Sequence, residues 1–248
     1  MIYVPLSRMN VNENRTRSGG SSFSGVIGFV HENVGTKEEV LLKSQNAKRH
    51  YSEVFSQEVA EWFAGFLRAD LRIYKLLPPE HPVNVKDGSK RLDIAAIDKG
   101  GKLILDISIK TFNFVDRTNS YGKNFTGRWY ELLGESFEIH DFYPNAVMVA
   151  VIVLPMDSCF DSTQRRFSSF NKAVKRFGKS AGGPLCEGNL SKFEFVFIGI
   201  FNEEGIIRFF NAQNDPPPSG LPNKEQLLRT EQVIETILNL VELRKNQN

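Results

Sequence analysis

Cysteine is almost absent from this sequence. Cys159 and Cys186 are the two among 248 residues, too few for a disulfide framework or a Cys-rich zinc site, so a reduced, cytoplasmic compartment is the expectation. Long hydrophobic runs are also missing. The longest, residues 146–155, is half of what a membrane-spanning helix needs, which predicts a soluble chain without membrane contact. The first twelve residues lack the apolar segment of a secretion signal. Neither sign of charge dominates: 31 Lys and Arg against 29 Asp and Glu leave a net charge of +2, so any surface for a polyanion must come from local clustering. No glycine-rich phosphate loop follows a strand, which argues against an ATP-driven enzyme. No Gly-x-Ser-x-Gly elbow occurs. The four histidines (His31, His50, His81, His140) show no metal-ligand spacing.

What is present is a globular pattern, with 41% apolar residues and length enough for a sizeable core. Residues 8–24, rich in Asn, Arg, Ser and Gly, read as an N-terminal arm. Residues 25–42 read as a short strand or hairpin. Apolar residues at three- and four-residue intervals, from Tyr51 to Leu67, predict a helix over 44–69 with Ser44 as its N-cap. Residues 91–97 and 102–112 predict a hairpin turning at 98–101. A helix over 127–141, an apolar central strand over 146–154, a basic helix over 162–178 and strands at 193–201 and 205–210 follow. Four prolines between 214 and 222 predict a linker, and 223–244 a last amphipathic helix. The domain reading is an arm with short strands (1–43), a core (44–212), and a Pro-rich linker with the C-terminal helix (213–248). The fold class is α/β, with helices flanking one central mixed sheet.

The hairpin carries the chemistry. With the turn at 98–101, Ile97 faces Lys102 and Asp93 falls opposite Asp106. Side chains on one strand face repeat every second residue, so Asp106, Ser108 and Lys110 project together while Ile107 and Ile109 enter the core. Facing carboxylates repel unless a cation lies between them. Mg²⁺ held by one or two carboxylates, with water and phosphate completing its shell, is the simplest such cation. Lys110 is placed to orient water or to neutralise charge on a phosphate.

Residues 91–97 (RLDIAAI) and 105–111 (LDISIKT) resemble the core of the PD-(D/E)xK, restriction-endonuclease-like, nuclease superfamily. An Asp begins one strand, and an acidic residue, any residue and Lys follow on the next. The resemblance spans about residues 50–155. It implies a restriction-endonuclease-like central mixed sheet flanked by helices, Mg²⁺ (or Mn²⁺) as cofactor, and cleavage of DNA, more rarely RNA. Two registers fit. In one, Asp106 fills the acidic position, Ser108 stands where Lys is expected, and Lys110 lies two residues on. In the other, Ser108-Ile109-Lys110 is the motif, as in some Type II restriction enzymes, and a helix glutamate replaces the missing carboxylate; Glu131 is the candidate. Leu92 stands where the family has Pro. The resemblance further implies a glutamate on the preceding helix, Glu58 first and Glu61 second.

The resulting expectation is a DNA endonuclease serving restriction or another defence. Asp93, Asp106 and Glu131 would hold the metal, with Ser108, Lys110 and Glu58 also in the site. Arg128, Arg165, Arg166, Lys172, Lys175 and Arg176 are candidate phosphate contacts, and double-stranded DNA and a homodimer are the expected partners. A repair or recombination nuclease is the neighbouring alternative. A non-catalytic nucleic-acid-binding protein that keeps the fold is another. Solvated surface charge is the plain alternative for Asp93 and Lys110 (an ion pair on the solvent face of a half-exposed hairpin), for Glu58, for Glu131 (able to pair with Arg128) and for the basic helix.

Overall fold

The computed structural model describes residues 22–68, 70, 72–183 and 190–246. Most of the arm read at residues 8–24, and Cys186, lie outside them. Three helices open the described chain: α1 (Ser24–Val34), α2 (Lys37–Leu41) and α3 (Gln45–Leu67). The strand or hairpin expected at 25–42 is therefore helical. Val26 and Val30, one helical turn apart, are buried together, and Thr36 and Glu39 form a reciprocal capping box that starts α2. Ser44 caps α3 as its position predicts, accepting the Ala47 N–H.

Next come β1 (Lys75–Leu76), the two-stranded antiparallel pair β2 (His81–Val85) and β3 (Gly88–Leu92), then β4 (Ile94–Ile97) and β5 (Leu103–Thr111). The chain continues with α4 (Phe125–Phe142), β6 (Val147–Pro155), α5 (Ser169–Phe177), β7 (Phe195–Phe201), β8 (Ile207–Asn211), β9 (Leu227–Leu228) and α6 (Thr230–Lys245). Seven strands form one mixed sheet in the order β1-β4-β5-β6-β7-β8-β9. The neighbours β5-β6 and β6-β7 are parallel and the other pairs antiparallel. β6 is buried at every position, as a run of nine apolar residues in the middle of a doubly covered sheet requires.

Two apolar cores lie on opposite faces of this sheet. One joins α1, α3 and α6 to Leu105, Ile107 and Ile109 of β5. The other joins α4 and α5 to Met148, Ala150 and Ile152 of β6. Beyond the bulge, Asp106, Ser108 and Lys110 of β5 alternate with the first-core residues Leu105, Ile107 and Ile109 and so turn toward this second layer. No described helix is long and apolar enough to cross a membrane.

Two element boundaries differ from expectation for local reasons. The helix read over 162–178 is only α5. Before it the chain makes a tight turn in which Thr163 and Arg166 exchange backbone hydrogen bonds, and Ser168 then caps the helix. The final helix starts at Thr230 because Leu227 and Leu228 first pair with β8. The Pro-rich stretch folds back on α5, where the Asn171 amide donates to the carbonyls of Pro216 and Pro217. The apolar face of α6 (Val233, Ile237, Leu238, Val241) enters the first core. That face is thereby used within the chain and is not free to serve a second copy.

Gly205, at φ 77° in the β7–β8 connection, touches the start of α1. A methyl group there would stand 2.3 Å from the Ser24 backbone. Gly205→Ala is therefore expected to cost about 2–4 kcal/mol from the left-handed backbone and the clash together, measured as a lowered denaturation midpoint. An unchanged midpoint would show that α1 does not rest on this turn in solution.

Candidate active site

The β4–β5 register differs from the expected one by two residues. Asp98 pairs with Lys102 through the turn, its carboxylate accepting the Lys102 N–H at 2.9 Å and its own N–H reaching the Lys102 carbonyl. That moves the register by one. A bulge between Ala96 and Ile97 moves it by another, so Ala95 lies opposite Asp106 and Ile94 opposite Ile107. Asp93 therefore comes next to Ser108, not Asp106 as expected. An even-numbered shift keeps every side chain on its face, so Asp93 still looks toward the same layer as Ser108 and Lys110.

Asp93 sits between β3 and β4, and its Oδ2 accepts the N–H of Ile109 at 2.6 Å. Lys110 Nζ lies 3.6 Å from Asp93 Oδ2, 3.9 Å from Glu135 Oε2 and 3.0 Å from Ser108 Oγ, to which it donates. Ser108 also favours the charged form of the Glu135 carboxyl. Four groups from one strand, the β3–β4 junction and one helix thus converge. Glu135 comes from α4, where it shares the buried stripe with Leu132 and Ile139.

The cluster is crowded with negative charge. Burial raises the Glu135 carboxyl, and Asp93 adds to this, against the opposing pull of Lys110 and Ser108. Burial and then the Asp93 charge raise Glu80, which also shares a hydrogen bond with Asp93. Asp106 is fully buried, and neither of its oxygens has a hydrogen-bond partner. Burial, then Glu135 and Asp93, pushes it well above the usual carboxylate range. Lys110 stays a cation: burial alone would lower it, but Glu135 and Asp93 outweigh burial and raise it.

This cluster opens into a cleft of about 1110 Å³ between α3, the loop after β5 and the start of α4. Asp93, Lys110 and Glu80 line it, together with Arg49, Arg117 and Lys123. Glu53, which pairs with Arg49, and Asp116 line it too, so acids and cations alternate around the cleft. Asp106 does not line it and lies beneath α4.

The other predicted residues are placed as follows. Glu131 is half-exposed and pairs with Arg128 at 2.6 Å across one helical turn; Arg128 lines the cleft. Glu58 does not line the cleft, whereas Glu53, Ser56 and Gln57 of the same helix do. Glu61 pairs with Arg68. Arg165 is exposed. Arg166 donates to the carbonyls of Thr118, Asn119 and Asp161, which makes it a brace between two loops. Lys172 is half-buried. Lys175 lies over the Phe167 ring at 4.8 Å, and Arg176 over Trp129 at 5.4 Å.

Sequence reasoning missed Glu135 and Glu80. Glu135 was detectable: it stands three residues after Leu132 and four before Ile139, which puts it on the apolar stripe. Glu80 had no such signal, because its place depends on how the loop after β1 turns back on Asp93.

Among the described residues, no three Asp, Glu, His or Cys side chains close on one point as a complete metal cage. Mg²⁺ does not require one, since it retains several waters and takes one or two carboxylates. Asp93 and Glu135 are the two carboxylates within 4 Å of Lys110; of the two, only Asp93 lines the cleft. Comparison with protein families, curated proteins and solved structures finds no match for this chain.

Proposed function

We propose that this chain is a metal-dependent nuclease that hydrolyses phosphodiester bonds in DNA, with a PD-(D/E)xK-type site in its Ser108-Ile109-Lys110 register. The observation that carries the reading is the meeting of Asp93 and Lys110 in the wall of a cleft, with the buried Glu135 3.9 Å behind the ammonium. The order of helix, antiparallel hairpin, helix and parallel strand over α3 to β6 is the order the resemblance implies. Glu135 takes the part first assigned to Glu131, one helical turn further along α4.

Asp93 and Glu135 would hold Mg²⁺, which when bound supplies a Lewis acid for the phosphate and a more acidic water. The remaining work belongs to the chain. The Ile109 N–H fixes the Asp93 carboxylate. Ser108 accepts a hydrogen bond from Lys110 and favours the charged Glu135. The Lys110 ammonium, kept charged by its two acids, hydrogen-bonds the attacking water or a phosphate oxygen as negative charge develops. Arg117, Lys123 and Arg128 neutralise flanking phosphates. The meeting of Lys110 with two carboxylates favours catalysis over the binding-only alternative. A role in restriction or defence follows from the resemblance alone.

The test is incubation of the full chain with supercoiled plasmid and with single-stranded DNA, in Mg²⁺ and in chelator. Cleavage in Mg²⁺ alone, lost in Asp93→Ala while the circular dichroism spectrum is unchanged, is the expected result. Unimpaired cleavage by Asp93→Ala removes the assignment.

A further inference from the structure

Away from the cleft floor, the surface carries exposed aromatic rings beside cations. The turn at 161–166 has an exposed phenylalanine at each end, Phe160 (58% exposed) and Phe167 (52%). Lys175, from α5, covers one side of the Phe167 ring. Arg165 projects from the turn itself and is exposed. Asp161 is already committed, its carboxylate accepting the N–H and the hydroxyl of Ser169, and the other acid close in sequence is the exposed Asp157, on the short turn before Phe160. No acidic residue occurs anywhere between Ser162 and Pro184.

This surface is continuous with the cleft. Arg166 ties the turn to the carbonyls of Thr118 and Asn119, and the adjoining Arg117 lines the cleft. Aromatic rings left open to solvent beside spaced cations suit a flexible polynucleotide: the cations track phosphates, and the rings stack on bases whatever their identity. A base pair inside a duplex offers no face to such a ring, whereas an unpaired base offers two.

We propose that the 160–175 surface is a binding track for single-stranded polynucleotide, with Phe167 and Phe160 as stacking platforms, which leads an unpaired strand into the cleft. The inference rests on the nuclease reading for where the strand goes, but its test is separate. Anisotropy of labelled oligodeoxythymidylate, oligouridylate and a blunt duplex of equal length is measured in chelator, so that nothing is cut. Wild type is expected to bind the single strands more tightly than the duplex. Phe167→Ala should weaken single-strand binding about five- to hundredfold and leave duplex binding unchanged. The two single-stranded probes report whether the strand is DNA or RNA.

Equal or tighter binding of the duplex overturns the inference, as does single-strand affinity indifferent to Phe167→Ala. So does a dimer converted to monomer by Phe167→Ala with single-strand affinity retained. Mg²⁺-dependent, Asp93-dependent cleavage with duplex-only binding sinks this track and leaves the nuclease reading standing. Single-strand binding that depends on Phe167, without cleavage, does the reverse.

Discussion

On the nuclease reading proposed above, Lys110→Ala and Glu135→Gln are each expected to lower cleavage about 10²–10⁴-fold, the range for loss of a positioned proton-transfer or charge-stabilising group. Glu131→Gln leaves it within about twofold, as for an exposed pair of small energetic weight. The geometry sets this contrast. Glu135 Oε2 lies 3.9 Å from the ammonium and is buried on α4 with an 8% exposed side. Glu131 is half-exposed and spends its charge on Arg128. Lys110 and Glu135 act as one unit with Ser108, so the double variant should be little worse than either single one. Initial rates on supercoiled plasmid decide the matter. A large loss in Glu131→Gln with none in Glu135→Gln would transfer the role back along the helix.

Asp106→Asn is expected to raise the denaturation midpoint at neutral pH and, on the nuclease reading, to keep cleavage within about tenfold of wild type. A buried carboxyl without a hydrogen-bond partner opposes folding whenever it must ionise, and an amide of the same shape does not. Its proton is held more tightly in the folded chain than in the unfolded one, where the carboxyl titrates near pH 4. Between that value and the raised folded value the native state binds more protons, so wild-type stability falls as pH rises. The asparagine variant lacks this slope. The two midpoints should meet below about pH 4 and separate as pH increases, at about 2–4 °C per kcal/mol in a chain of this size. Parallel curves would mean that Asp106 has found a partner in solution. Abolished cleavage in Asp106→Asn would move the site to the register in which Asp106 is the acid.

The parts of the fold written in short-range pattern were legible. The spacing of Tyr51, Phe55, Val59, Phe63 and Leu67 gave α3, and the unbroken apolar run gave β6. The shared face of Ser108 and Lys110 followed from strand periodicity. Other features were set by contacts that no local pattern encodes. Val26 and Val30 fit a strand or a helix equally until α3 is there to receive them. The hairpin register turned on one bulge and one aspartate in the turn. The alternation of Asp106, Ser108 and Lys110 along β5 does not say what lies over that face. In the folded chain α4 covers it, and that makes Asp106 a buried acid and brings Glu135 to Lys110. Which glutamate arrives depends on the rotation of α4, which Leu132 and Ile139 set.

The hydrogen bond from the Ile109 amide to Asp93 has a bearing on how such a site drifts over generations. The middle residue of the Ser108–Lys110 triplet contributes its peptide nitrogen to the acid, and its side chain to the opposite layer. Selection on the chemistry is therefore blind to which apolar side chain stands there and sees only whether a main-chain donor remains. A motif of this kind reads as fixed, free, fixed along the chain because its central member serves the reaction through an atom that nearly every amino acid carries.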